Sequence, residues 1–219
     1  MFIELNGVRL FYEKRGEGRP LVLVHGNGED HNIFDQALLL LEKRFCCYAV
    51  DSRCHGQSSA GPLHYDNMAA DMLGLLEALD LRDVIFYGFS DGGIIGLLAA
   101  AQTERITTLI VSGANLSPMG VKAHIRLLVR AMYWKTKDPK FALMLREPYI
   151  SDDILVKIRA NTLVLAGSRD LVLERETRHI AETVPGAELQ ILKGEGHGSY
   201  IIHSDKIANL IIDYCRMRA

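Results

Sequence analysis

The sequence predicts an α/β protein: a three-layer α/β/α sandwich with a mostly parallel central sheet and a short helical lid. Three observations carry this. Short apolar runs of strand length alternate with longer stretches of helical periodicity; several of those runs stop at a glycine turn; and a single segment, residues 113–161, interrupts the alternation. The 219 residues, 48% of them hydrophobic, suffice for one domain with a large buried core.

Taken in order, residues 2–5 and 8–14 flank Asn6-Gly7, a pair suited to a hairpin turn, and read as an opening β-hairpin. Strand 21–25 leads to helix 31–42, strand 45–50 and helix 65–79, where Met68, Met72, Leu75, Leu76 and Leu79 recur at helical spacing and read as core. Strand 83–88, helix 91–101 and strand 107–112 continue the alternation. Strand 162–166, helix 172–183, strand 187–192 and helix 200–216 close it. Repeated strand–helix–strand units place both helix layers against a parallel sheet and put ligands at the carboxyl ends of the strands. Within 113–161, Met119–Lys135 and Pro139–Arg146 read as helices punctuated by Pro118, Pro139 and Pro148, inserted as a lid over that edge.

The strongest local signal is Val84-Ile85-Phe86-Tyr87-Gly88-Phe89-Ser90-Asp91-Gly92-Gly93. A strand reversing into a helix over so few residues forces its central residue into a strained turn, and neighbours two positions away collide unless they are glycines. Gly88 and Gly92 meet that demand and lift the Ser90 hydroxyl clear of the backbone. A hydroxyl is a poor nucleophile at neutral pH; it needs an imidazole to take its proton and a carboxylate to hold the imidazole. Asp170 follows the strand and glycine turn Thr162–Arg169, and His197 lies in a glycine-flanked loop after the run Glu188–Leu192. Ser90, Asp170 and His197 are therefore the candidate nucleophile, orienting acid and base. A further buried run ends in His25-Gly26-Asn27-Gly28, whose tight backbone fits an oxyanion hole made by the Asn27 and Asp91 N–H groups, leaving the two side chains free to vary. His25 reads as a loop-orienting hydrogen-bonder rather than a base.

These residues resemble the α/β-hydrolase fold family along essentially the whole chain: His25–Gly28, the loop Asp51–Ser58, the elbow Gly88–Gly93, Gly167–Asp170 and Gly196-His197. In the second stretch Cys54 stands where the family usually has a glycine. The Ser-Asp-Gly-Gly elbow is similar to that of biphenyl-hydrolase-like and valacyclovir-hydrolase-type esterases. Haloalkane dehalogenases of the same fold carry an aspartate at the position of Ser90, which disfavours that chemistry. The resemblance implies a serine hydrolase of small carboxylic esters needing no cofactor and no metal. Thioester, amide or carbon–carbon bond hydrolysis, perhydrolysis, or low-turnover binding of a small ligand are the alternatives.

Composition sets further bounds. A net charge of −2 offers no general field for nucleic acid or membrane, and no segment approaches the roughly 18 uninterrupted apolar residues of a membrane span. With no leader-like amino terminus, a cytoplasmic protein is expected; oligomeric state stays open. Cys46 and Cys47, adjacent in a strand, should point to opposite faces as buried thiols, and Cys54 is the one thiol placed near the site. The segment 113–161 carries nine Lys or Arg against four Asp or Glu, net +5. Either this is a solvated outer face or a positive roof steering anionic substrates. Met132, Trp134 and Met144, with Leu127, Leu128, Tyr133 and Phe141, are candidates for lining an acyl pocket.

Overall fold

The computed structural model describes residues 1–217. Eight strands form one sheet in the order β1-β2-β4-β3-β5-β6-β7-β8: β1 (Phe2–Leu5), β2 (Val8–Arg15), β3 (Pro20–Val24), β4 (Cys46–Val50), β5 (Val84–Phe89), β6 (Ile106–Ser112), β7 (Asn161–Gly167) and β8 (Glu188–Leu192). β1 and β2 pair antiparallel, as does β2 with β4; every pairing from β4 to β8 is parallel. The hairpin turn falls at Asn6-Gly7, both at positive φ, 50° and 75°.

The period of two along each strand feeds two separate cores. Val22 and Val24 of β3 pack with α2 (Tyr65–Ala78), α3 (Asp91–Ala100) and α7 (Glu174–Thr183). Leu21 and Leu23 pack with α1 (Asp35–Leu41) and α8 (Lys206–Arg216) on the other face. Cys46 and Cys47 divide between the two cores as the alternation requires, and the Met68–Met72 stripe of α2 is buried. Every residue of α3 is buried, which suits a helix apolar on all sides and wedged between the sheet and α2.

Three boundaries depart from the sequence reading. The helix anticipated at 31–42 is a 3-10 turn, His31–Phe34, capped by Asp30, followed by α1. The helix anticipated from Met119 begins at Ala123: Pro118–Gly120 forms a 3-10 turn, and Val121 bridges to Val172 in an extended pairing that delays the helix. The helix anticipated from Tyr200 begins at Lys206, since His203 takes φ 50° and interrupts the turns before it. Between β6 and β7 lie α4 (Ala123–Thr136), α5 (Pro139–Arg146) and the short α6 (Asp152–Leu155), which the periodicity did not reveal. No helix among the described residues is long and apolar enough to cross a membrane.

Cys54 sits at φ 64°, the left-handed conformation that favours glycine. Its sulfur donates to the Gly61 carbonyl at 3.3 Å and accepts from the Gly61 N–H at 3.4 Å, so side-chain bonds help offset the strain and the loop keeps its course.

Candidate active site

The site forms where β3, β5, β7 and β8 end. Ser90, between β5 and α3, has φ 53° and ψ −112°. A Cβ on Gly88 would overlap the Gly92 carbonyl, and one on Gly92 would overlap the Val24 carbonyl, so the elbow closes only with both glycines present. His197 Nε2 lies 3.0 Å from Ser90 Oγ, and His197 Nδ1 lies 2.6 Å from Asp170 Oδ1. The same Asp170 oxygen accepts from the Val172 N–H at 2.9 Å. Burial alone would raise the Asp170 carboxyl; the bonds from His197 and Val172 win and hold it below the usual carboxylate range. Three side chains spread over 107 residues thus meet in one line: alcohol, imidazole, anion.

The Asn27 and Asp91 N–H groups donate to no backbone acceptor among the described residues, and Asp91 opens α3, where the helix dipole favours negative charge. The two histidines behind this loop are structural. His25 Nε2 accepts from the Ser52 N–H at 3.0 Å, so its Nδ1 proton goes to the Gly26 carbonyl at 2.7 Å; burial pulls this imidazole down to about 4. His55 Nε2 likewise accepts from the Gly28 N–H at 3.0 Å. Both are neutral and pin the turn that carries Asn27.

Residues 19–136 match the sequence model of the alpha/beta hydrolase fold. The chain belongs to the α/β-hydrolase fold family. Among its relatives, serine hydrolase BPHL of Mus musculus is 26% identical, the alignment covering 97% of this chain and 84% of that protein. Non-heme chloroperoxidase CPO-A1 of Kitasatospora aureofaciens is also 26% identical, over 92% of this chain and 93% of its own. Among solved structures, the esterase EaEST from Exiguobacterium antarcticum superposes with a TM-score of 0.84 at 23% identity, covering 98% of each chain. The homologues are hydrolase-fold enzymes, and this α/β-hydrolase is an enzyme.

A small cleft of this α/β-hydrolase lies above Ser90, with His197 at its wall. It is lined on its apolar side by Val121, Ile125, Met144, Leu171 and Val172, and on its polar side by Tyr65, Asp91, Asn115 and Glu147. Of the acyl-pocket candidates only Met144 lines the cleft. Met132 and Trp134 do not: Trp134 lies on the side of the helix opposite Ile125 and Val129 and is 77% exposed, while Met132 shares their side but sits two turns beyond Ile125, 38% exposed and away from the cleft. Leu127 and Leu128 are exposed as well. None of the nine Lys and Arg residues of 113–161 lines the cleft, so the positive-roof reading finds no lining cation to support it.

Nor are the side chains of Asn27 and Asp91 free to vary. Asn27 Nδ2 donates to Asp91 Oδ2 at 2.9 Å and to the Lys140 carbonyl at 3.3 Å, while Tyr65 Oη donates to Asp91 Oδ1 at 2.8 Å. Burial raises the Asp91 carboxyl despite these bonds. The sequence reading also missed Glu29. Its Oε2 accepts from the Gly26 N–H at 2.9 Å, close to the side of Gly26 that faces Ser90 Cβ, and burial pushes it up to about 7. Nothing in the stretch Gly26–Asp30 distinguishes this carboxylate from a solvated loop acid.

Glu29 has a measurable signature. Its folded-state value lies above the ordinary glutamate value of 4.5, so between about pH 4.5 and pH 7 the folded chain holds more protons than the unfolded one, and stability falls as pH rises through that window. Glu29→Gln is expected to stabilise the protein by about 1–3 kcal/mol at pH 8 and by much less at pH 5, allowing for partial exposure. Urea titrations of both chains at the two pH values test this; equal differences would dismiss the assignment.

Proposed function

We propose that the protein is a serine hydrolase of small carboxylic esters, with Ser90 as nucleophile, His197 as base and Asp170 as the acid that orients it. The observation that carries this reading is the unbroken relay, 3.0 Å from Ser90 Oγ to His197 Nε2 and 2.6 Å from His197 Nδ1 to Asp170 Oδ1, at a strained elbow. His197 takes the Ser90 proton as Oγ attacks the ester carbonyl. Charge moves onto the carbonyl oxygen, which the Asn27 and Asp91 N–H groups receive; each such donor is worth about 3–4 kcal/mol to the transition state in comparable sites. His197 then protonates the leaving alcohol, an acyl-enzyme forms on Ser90, and the same imidazole activates water to release the acid. Residues 113–161 act as a reduced lid: Val121, Ile125 and Met144 give the acyl group its apolar wall.

Stoichiometric labelling of the native chain by a fluorophosphonate is the direct test; native protein that stays unmodified has no activated serine. The carboxylates Asp91 and Glu147 at the polar wall also set substrate charge. Short neutral p-nitrophenyl esters are expected to exceed the matching hemisuccinate ester in kcat/KM by roughly tenfold to hundredfold, from about 1–3 kcal/mol of like-charge repulsion. A preference for the anionic ester would show that the lid cations, not these carboxylates, govern entry.

The relative named a non-heme chloroperoxidase favours one second reading, in which hydrogen peroxide replaces water on the acyl-enzyme and a peracid leaves. Peracid formation from acetate and hydrogen peroxide distinguishes it.

A further inference from the structure

Helix α4 buries one residue, Val129, and turns a second apolar face to solvent. Leu127 is 67% exposed, Leu128 57% and Trp134 77%, at positions that share one side of the helix with Ala131, while Ile125 and Val129 take the other side. Scattered surface apolar residues are ordinary; here five of the thirteen large exposed ones fall within residues 119–134. The charge around them is one-sided. Helix α4 contains Arg126, Arg130 and Lys135 and no acidic residue, and Lys137 follows at its end. Among the described residues Arg130, Lys135 and Lys137 have no carboxylate partner, and Lys137 Nζ rests 5.6 Å from the Tyr133 ring and 6.0 Å from the Trp134 ring.

We propose that the outer face of α4 docks on an anionic lipid bilayer. Leu127, Leu128 and Trp134 enter the interface, and Arg130, Lys135 and Lys137 meet the headgroups. The pattern is that of a helix lying in a membrane surface: apolar and indole groups below, long cationic side chains reaching outward. Charge complementarity selects this occupant. A second copy of the chain would bring two cationic rims together with no acid on either helix to compensate, and a soluble polyanion would leave the leucines wet. The chain's net charge of −2 hides this because the +5 of residues 113–161 is balanced elsewhere; over a Debye length of about 8–10 Å the local field decides. The opposite side of α4 carries Ile125, which lines the cleft, so the docked surface lies about one helix diameter, roughly 10 Å, from the substrate space.

Trp134 is the sole tryptophan of the chain, so its emission reports on this face alone. The full chain is titrated with phosphatidylcholine vesicles containing about 30% phosphatidylglycerol and, in parallel, with pure phosphatidylcholine vesicles. The expected result is a blue shift and loss of acrylamide quenching on the anionic vesicles only, reversed by about 0.5 M salt. The double variant Arg130→Glu/Lys135→Glu should bind roughly tenfold or more weakly. Leu127→Ser/Leu128→Ser should lose co-sedimentation, circular dichroism checking that both variants stay folded. The proposal is overturned by an unchanged spectrum at millimolar anionic lipid, by an equal response to neutral vesicles, or by a shift that follows protein concentration without lipid, which would assign the face to self-association.

Discussion

Ser90→Ala is expected to lower turnover of p-nitrophenyl acetate by about 10⁴-fold or more while leaving the fold and the unfolding transition unchanged. Among the described residues the hydroxyl's one side-chain partner is His197 Nε2, so its loss removes the proposed attacking atom and no structural tie. Alanine meets the same φ of 53° that serine already tolerates. What remains should be the modest acceleration due to the Asn27 and Asp91 amides and to binding. Steady-state rates of the purified variant, with fluorophosphonate labelling alongside, provide the check. Activity within tenfold of the parent would mean that some other group attacks the ester.

The largest expected effect on stability lies away from Ser90. Arg53 donates from Nε to Asp71 Oδ2 at 2.7 Å and from Nη2 to Asp71 Oδ1 at 2.6 Å, with the two residues 3% and 0% exposed. Arg53 Nη1 also donates to the Pro62 carbonyl at 2.9 Å, and Asn6 Nδ2 to Asp71 Oδ1 at 3.2 Å. The pair therefore clamps the loop before α2 to α2 itself and to the first hairpin. Asp71→Ala strands a guanidinium in the interior and should cost about 3–5 kcal/mol, a large part of the roughly 5–15 kcal/mol that holds a domain together. Arg53→Met/Asp71→Leu, which removes both charges, should recover most of it. Urea unfolding of the three chains measures the difference; a cost below about 1 kcal/mol for Asp71→Ala would show that water reaches the pair. Because the same loop brings His55 to the Gly28 N–H, the single variant should also loosen the turn that presents Asn27.

What could be read in advance was whatever is enforced locally. Gly88 and Gly92 are demanded by backbone contacts within the elbow itself, and Asp170 and His197 follow their strands in the loops at the sheet's carboxyl edge, where parallel topology gathers them. The Cys46–Cys47 split followed from strand period alone. The cleft could not be read this way. Tyr65, Asn115, Ile125, Glu147 and Leu171 reach it from separate parts of the chain, and each, seen alone, is an ordinary core or surface residue. Periodicity also failed on α4, because both of its sides carry apolar residues and a period of 3.6 cannot say which of them faces the protein.

The sequence by itself determined the parallel architecture, the strained turn at Ser90 and the chain order of Ser90, Asp170 and His197, since strand–helix alternation and the elbow's steric demands are written in neighbouring residues. Only the tertiary structure decided that Met144 and not Met132 or Trp134 lines the cleft, that Glu29 is buried against the Gly26 N–H, and that Asn27, Asp91 and Tyr65 form one hydrogen-bonded unit. The physical reason is that burial and partner choice are set by segments far apart along the chain, and a side chain's environment exists only once those segments have packed together.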